Sequence, residues 1–175
     1  MADHYVDIVN ERDEVMGKEL KSKKTKMGFI SRVVGVMIQD SEGKFIICKR
    51  GAHKKLEGEK YDLAAFGNVK SGEDYRTAAA RDLWEELNIR CPLYLLDKFY
   101  QEVDDSKYGK IRFFCGVFLG YSDEKTKLNH EVSSFKKMSF EELEADIKKN
   151  PGKFCQGFIN DFNQIKEKLR FKVRL

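Results

Sequence analysis

The chain has 175 residues, of which 41% are hydrophobic and 35% charged, and its net charge is +4. This composition excludes a disordered chain and indicates a single globular domain over residues 1–175, and no apolar run approaches the roughly 20 residues of a membrane span. The N-terminus is unlike a signal peptide and the four cysteines are widely spaced, so we expect a cytoplasmic protein with reduced thiols and no membrane contact.

The first predicted element is an N-terminal β-hairpin, part of an extension that covers about residues 1–28. The apolar runs 5–9 and 14–16 flank the polar segment 10–13, which is typical of a hairpin turn. This hairpin is also a candidate dimer element, so a homodimer stays an open alternative. The basic run 18–26 comes next; such runs are usually solvated connections, and the alternative is an arm that faces phosphate.

Four strands are predicted in the body of the chain. Residues 32–39 and 44–49 form one hairpin around the turn 40–43, and residues 93–103 and 111–121 form another. The last of these strands is apolar on both faces, so we expect it to be central in its sheet. Strands before and after a helical segment, with further helices at the end, indicate an α/β fold with a mixed sheet between helices.

Two helices are predicted near the C-terminus. Ser139 and Glu142 form a capping box for a helix over 140–149, which Pro151 ends. The next helix carries an apolar stripe at helical spacing, which indicates core packing rather than a cofactor site. The stripe consists of Phe154, Phe158, Phe162, Ile165 and Leu169.

The segment 67–89, between the two hairpins, carries most of the charged chemistry. The pattern Ser71-x-x-Asp74 predicts the start of a helix, and three carboxylates follow within a turn of one another on one helix face, where they repel each other. They are Asp82, Glu85 and Glu86. Most acidic helix faces are only solvated surface, but an all-oxygen cluster also suits a hard cation such as Mg²⁺ or Mn²⁺.

The same segment matches the Nudix box, whose pattern is G-x(5)-E-x(7)-R-E-U-x-E-E-x-G-U with U an apolar residue. Seven of its nine fixed positions agree without a gap, and the departures are Asp82 for Glu and Asn88 for Gly. The chain therefore resembles the Nudix hydrolases. The resemblance implies a Nudix α/β/α sandwich and a hydrolase that uses Mg²⁺ or Mn²⁺ to cleave the diphosphate linkage of a nucleoside diphosphate derivative.

The resemblance also implies roles for the residues of the box. The implied metal ligands are Gly67, through its carbonyl, Asp82, Glu85 and Glu86. Glu73 and Arg81 resemble the family's ion pair that holds the loop against the helix. The expected catalytic residues are Glu73, Arg81, Asp82, Glu85 and Glu86. A further acidic residue often assists from a later loop, and Glu131 is the first candidate metal ligand there, before Glu102.

The two departures from the box differ in weight. Asp82 is one methylene shorter than Glu, so its carboxylate reaches roughly 1.5 Å less. This difference leaves open whether Asp82 binds metal directly or through a water. Asn88 replaces the Gly that ends the helix, and Asn is the next-best residue for a left-handed helix end, so we expect little effect from it.

The flanking sequence resembles the Nudix branch that also contains isopentenyl diphosphate isomerases. In that branch, basic residues after the second strand contact the diphosphate, which implies substrate binding by Arg50, Lys54 and Lys55. The alternative for these three residues is solvated loop charge. The branch also makes isomerisation a rival to hydrolysis.

Four positions argue against the isomerase. That enzyme needs a Cys before the box Gly and a His after it, where this chain has Phe66 and Asn68. Its acidic residues would fall near Ile111 and Phe113, and neither of these is acidic. Since the isomerase proton donors and metal histidines are absent, the residues favour hydrolysis.

A binding module that recognises a nucleotide or RNA without cleaving it is the other alternative. The short Asp82 side chain and the basic run 18–26 both favour this reading. The partner we expect is nevertheless a small-molecule diphosphate, because a mild net charge of +4 suits an anionic substrate without demanding nucleic acid.

Overall fold

The computed structural model describes residues 3–54, 56–105 and 109–173. Nine strands and four helices lie in these ranges. The strands are β1 (Tyr5–Val9), β2 (Val15–Leu20), β3 (Ser31–Gln39), β4 (Phe45–Arg50), β5 (Tyr61–Asp62), β6 (Ala65–Asn68), β7 (Leu93–Asp105), β8 (Gly109–Tyr121) and β9 (Val132–Met138). The helices are α1 (Lys24–Met27), α2 (Tyr75–Leu87), α3 (Phe140–Lys149) and α4 (Gln156–Val173). None of these helices is both long and apolar enough to cross a membrane.

The main sheet has seven strands, with β5-β4-β3-β8-β7 in spatial order, β6 paired to β3 and β9 paired to β4. Strands β3 and β8 are parallel, and the other pairs are antiparallel. The predicted α/β fold with a mixed sheet is therefore confirmed. Strand β8 lies between β3 and β7, and its residues are buried from Phe113 to Gly120, which confirms its central position.

Helices cover both faces of this sheet. Helix α2 packs on one face through Ala78, Ala79, Leu83 and Leu87. Helices α3 and α4 pack on the other face, where the apolar stripe of α4 is fully buried, as its spacing predicted. Phe154 is buried in the same core but lies before α4, which begins only at Gln156.

The first predicted hairpin of the main sheet is only partly correct. The turn forms, with the Asp40 amide donating to the Lys44 carbonyl at 2.9 Å, but β3 and β4 pair only between Gln39 and Phe45. Beyond that point β3 pairs with β6, a strand that the sequence pattern did not predict. Strands β3 and β4 separate because β6, and not β4, occupies the place beside β3 there.

The N-terminal hairpin forms as predicted, although β2 extends to Leu20. Its turn residue Asp13 has a left-handed φ of 63° and accepts hydrogen bonds from Arg32 Nε (2.6 Å) and the Tyr75 hydroxyl (3.0 Å). The Ser71 amide also donates to the Tyr5 carbonyl at 2.9 Å. These contacts fasten the hairpin to β3 and to the start of α2.

A large-to-small substitution in the apolar stripe of α4 should lower the free energy of unfolding far more than the same substitution at the helix surface. Phe162 is 1% exposed and Phe171 is 70% exposed, and both lie on α4. We expect Phe162→Ala to lower the free energy of unfolding by about 3–5 kcal/mol, because it leaves a cavity in the core. Phe171→Ala is the matched control and should change it little. Urea unfolding measures both, and equal losses would contradict the packing described for α4.

Candidate active site

The start of α2 differs from the sequence prediction. Asp74, not Ser71, caps the helix, and its carboxylate accepts the Thr77 amide at 2.7 Å. Glu73 therefore lies outside the helix, where its carboxylate accepts the Lys70 amide at 3.0 Å. At the other end Asn88 adopts the left-handed conformation, with φ 57° and ψ 34°, as predicted for this departure from the box.

Glu73 and Arg81 form a two-fold ion pair. Arg81 donates through Nε to one oxygen of Glu73 at 2.9 Å and through a terminal nitrogen to the other at 2.8 Å. The same guanidinium donates to the Asn68 carbonyl on β6 at 3.0 Å. This bidentate geometry is the strong form of an ion pair, and it holds the turn before α2 against the helix and the strand.

Asp82 is buried on the face of α2 that lies against Gly67. A methyl group at position 67 would come within 2.1 Å of Asp82 Oδ2, so only glycine leaves room for this carboxylate. Arg81 hydrogen-bonds one oxygen, whereas Oδ2 is buried and has no hydrogen-bond partner within residues 3–54, 56–105 and 109–173. Burial raises the pKa of Asp82 to about 6, and the negative charge of Glu85 adds to this shift. The positive charge of Arg81 opposes the shift but is outweighed.

The two glutamates of the box differ in environment. Glu86 is half-buried, and burial raises its pKa well above the usual value, with the charges of Asp82 and Glu131 adding to the shift. Glu85 is more exposed, with 44% of its side chain accessible to solvent. Its Oε2 lies 3.7 Å from a terminal guanidinium nitrogen of Arg81. Glu86 is therefore the inner carboxylate of the box and Glu85 the outer one.

Glu131 is brought beside Glu86 by its loop. The Asn129 side chain donates to the Glu85 carbonyl at 2.8 Å, and the Gly51 amide donates to the Glu131 carbonyl at 2.8 Å. Glu131 is buried and paired with Lys54, while no described residue forms a hydrogen bond with its Oε1. Burial would raise the pKa of Glu131, but the hydrogen bond and charge of Lys54 hold it below the usual value.

Arg50 pairs with a buried acid that the sequence analysis missed. Its guanidinium donates to Asp62 at 3.0 Å, and its Nε is buried with no acceptor in the part of the chain that the structure describes. Burial raises the pKa of Asp62, although the charge of Arg50 opposes the shift. Asp62 lies in the two-residue strand β5 and belongs to no motif, so no local signal could have indicated it. Lys55, the third predicted substrate residue, lies outside the described residues.

Some of these side chains line one pocket of about 270 Å³, counting the space open to solvent, but Asp82 and Glu85 are not among its lining residues. The charged and aromatic lining residues are Arg50, Lys54, Asp62, Phe66, Glu86 and Glu131. The pocket thus brings the inner glutamate of the box together with two of the predicted basic residues and the predicted loop glutamate. Glu102 does not line it; on β7 it accepts hydrogen bonds from Tyr100 (2.7 Å) and Lys110 (2.8 Å).

Comparison with known proteins decides the family. The model of the NUDIX domain matches residues 30–158 of this chain. The chain belongs to the Nudix family. The architecture described above is therefore the Nudix α/β/α sandwich, and the resemblance of the segment 67–89 to the Nudix box is confirmed.

Three individual proteins place the chain within the Nudix family. It is 37% identical to a Nudix hydrolase of Deinococcus radiodurans, over 51% of this chain and 52% of that protein, so the match spans about half of the relative. It is 26% identical to isopentenyl-diphosphate Delta-isomerase 2 of Photorhabdus laumondii, over 93% of each chain. A crystal structure of a protein from Deinococcus radiodurans superimposes with a TM-score of 0.69, at 28% identity over 84% of this chain and 90% of that one.

The carboxylates of this Nudix site are of the type that binds a divalent cation, but they do not form a complete coordination shell. Within residues 3–54, 56–105 and 109–173, no three Asp, Glu, His or Cys side chains converge closely enough to hold a metal ion. Arg81 and Lys54 instead neutralise Asp82 and Glu131. Asp82 Oδ2 and Glu131 Oε1 remain buried without a partner, and hard oxygen donors of this kind fit Mg²⁺ or Mn²⁺.

The basic run 18–26 is not one uniform solvated connection. Lys23 pairs with Glu19 at 3.1 Å and points to solvent, with 49% of its side chain exposed. Lys21 is also exposed, but its charge interacts with the charges of Lys54, Glu131 and Asp82, and desolvation together with the charge of Lys54 lowers its pKa. The alternative of a phosphate-facing arm therefore agrees with the placement of Lys21, although not with that of Lys23.

Replacement of Asp82 should stabilise the metal-free protein at neutral pH. Asp82 titrates near 3.8 in the unfolded chain but near 6 in the folded protein, so its ionisation destabilises the fold as pH rises from about 4 to about 6. We expect Asp82→Asn to raise the free energy of unfolding by roughly 1–3 kcal/mol at pH 7.5 and to have no such effect at pH 4. Urea unfolding in EDTA measures the difference.

The control is Asp74→Asn, on the exposed start of the same helix. Asn caps a helix as well as Asp, and hydrogen bonds from Thr77 lower the pKa of Asp74, so removal of this charge should not stabilise the protein at either pH value. A destabilised Asp82→Asn protein at pH 7.5 would contradict the raised pKa of Asp82.

Proposed function

We propose that the protein is a metal-dependent Nudix hydrolase that cleaves the diphosphate linkage of a nucleoside diphosphate derivative. One observation carries the proposal: around Glu86, three buried polar atoms have no hydrogen-bond partner among the residues that the structure describes, namely Asp82 Oδ2, Glu131 Oε1 and Arg50 Nε. Two acceptors and one cationic donor left unpaired beside a pocket destabilise the fold. A bound cation and a diphosphate would satisfy all three, which supports a site built for this pair of ligands.

The residues that would hold Mg²⁺ or Mn²⁺ are Asp82, Glu85, Glu86, Glu131 and the Gly67 carbonyl. The bound cation would neutralise diphosphate charge and lower the pKa of the attacking water. Burial and mutual repulsion now keep the pKa values of Asp82 and Glu86 high, so these carboxylates are poised to exchange a proton for a cation at neutral pH. Glu73 and Arg81 do not touch the substrate in this proposal; they position Asp82.

Lys54 and Arg50 would bind the diphosphate oxygens. Lys54 neutralises Glu131 in the free protein, and a diphosphate competes with that carboxylate for the ammonium. Transfer of Lys54 to the substrate would free Glu131 Oε2, the oxygen that Lys54 contacts in the free protein, and this oxygen could then accept the proton of the attacking water. Hydrolysis is preferred to isomerisation because Phe66 lines the pocket where the isomerase has its Cys.

The glutamate of the box that lines the pocket should be essential for hydrolysis. We expect Glu86→Gln to lower kcat by at least about 100-fold, because it removes a ligand of the catalytic cation. The assay is release of nucleotide and phosphate products from a panel of nucleoside diphosphate derivatives with Mg²⁺ or Mn²⁺. Glu141→Gln, at an exposed position of α3, is the control and should retain full activity. Full activity of Glu86→Gln would refute the assignment of this site.

A binding module remains the second candidate, because Arg81 and Lys54 already neutralise two of the carboxylates. Such a site could hold an anionic ligand through its basic residues alone. Calorimetry separates the two candidates: the hydrolase requires a divalent cation and forms product. Tight binding that needs no cation, with no product from any substrate, would favour the module.

A further inference from the structure

Asp62 holds the guanidinium of Arg50 from inside the core. Its side chain is only 9% exposed, its Oδ2 accepts a hydrogen bond from Arg50 Nη1 at 3.0 Å, and its Oδ1 accepts the Leu63 amide at 2.9 Å. The neighbouring backbone is also held, because the Cys155 amide donates to the Tyr61 carbonyl at 2.9 Å. The carboxylate of Asp62 therefore has a fixed position in the fold.

The guanidinium of Arg50 has two edges, and Asp62 occupies only one of them. Nη1 donates to Asp62, whereas no described residue accepts a hydrogen bond from Nε or Nη2. Nε and Nη2 together form the fork that matches two oxygens of a phosphate group. Because the guanidinium is rigid and planar, the bond at Nη1 also limits the directions in which this free edge can point.

Arg50 and Lys54 line the same pocket, but their carboxylate partners leave them in different states. The ammonium of Lys54 is a single charged group that already contacts Glu131, so a diphosphate competes with this carboxylate. Arg50 can bind a phosphate through its free edge and keep its bond to Asp62 at the same time. A side chain that is already held in place also loses less conformational entropy when a ligand binds.

We propose that Asp62 is a positioning residue, which orients Arg50 so that its Nε–Nη2 edge binds the diphosphate through two hydrogen bonds. Asp62 itself touches no substrate in this proposal. The proposal rests on the proposed function in that it places a diphosphate beside Glu86 and Arg50. The competing explanation is that Asp62 only fastens β5 to β4, and in that case its effect on diphosphate binding does not depend on Arg50.

Substitution of Asp62 by Asn removes the hold on Arg50 while it conserves the shape of the side chain. Asn has one side-chain oxygen, whereas two donors, the Leu63 amide and Arg50, need an acceptor here. We expect Asp62→Asn to bind inorganic diphosphate and ADP about 10-fold more weakly, as the loss of one hydrogen bond to a charged group predicts. Calorimetry on the full chain in EDTA measures both affinities without hydrolysis.

A double-mutant cycle shows whether Asp62 acts through Arg50. Arg50→Met should weaken diphosphate binding at least as much as Asp62→Asn does. The double variant should bind no more weakly than Arg50→Met alone, because without the guanidinium Asp62 has nothing to orient. A merely structural role for Asp62 predicts instead that the two losses add.

Two further variants complete the comparison. Asp161→Asn is the matched control, since Asp161 is another buried aspartate, whose carboxylate accepts hydrogen bonds from Gln101 and Cys115. It should leave the affinity for diphosphate unchanged. Arg50→Lys keeps a cation beside Asp62, so it tests the proposal even if Asp62→Asn fails to fold. We expect it to bind diphosphate about 10-fold more weakly, because an ammonium has no second edge.

Unchanged affinity of Asp62→Asn, additive losses in the cycle, an equal loss in Asp161→Asn or full affinity of Arg50→Lys would each overturn the proposal. So would the absence of diphosphate binding by the unmodified protein. A protein that gives the expected cycle but hydrolyses no substrate would instead refute the hydrolase and leave the role of Asp62 intact. Because the binding assay contains no metal, the two failures are separate.

Discussion

Arg81 is the side chain on which the geometry of the site depends. Its guanidinium donates to Glu73, to the Asn68 carbonyl and to Asp82. These partners belong to the turn before α2, to strand β6 and to α2 itself, so one planar group fixes three pieces of backbone relative to one another. A lysine would bring the same charge but could not reach three partners in a fixed plane. The position of the carboxylates on α2 relative to β6 therefore depends on the contacts of Arg81.

The same arrangement concentrates negative charge where water is scarce. Gly67 leaves the space that Asp82 occupies, and the burial of Asp82 and Glu86 raises the pKa of both. A fold selected only for stability would place apolar side chains here, because buried charges without full compensation destabilise it. Perturbed carboxylates in a pocket are instead typical of functional sites. These carboxylates therefore destabilise the metal-free fold, and in the proposed function a bound cation would offset their repulsion.

Sequence patterns predicted the features that depend on near neighbours in the chain. The capping box at Ser139 and the left-handed Asn88 are decided within a few residues, and both are as predicted. The predicted start of α2 was wrong because Ser71 and Asp74, three residues apart, are both good helix caps. The choice between them is made by a distant contact, since the Ser71 amide donates to the Tyr5 carbonyl in β1. No pattern within α2 contains that information.

The charged residues of the pocket also divide into those that a sequence pattern predicted and those that it did not. The family motif indicated Glu86 and the branch indicated Arg50, whereas Asp62 lies in a strand of two residues that carries no pattern of its own. The N-terminal hairpin and the basic run 18–26 lie before residue 30, where the match to the family model begins. The N-terminal hairpin is held to the body of the fold through Asp13, so the segment that follows it has a fixed place beside β8. The place of that segment is therefore decided by packing against distant parts of the chain, which no pattern within the segment contains.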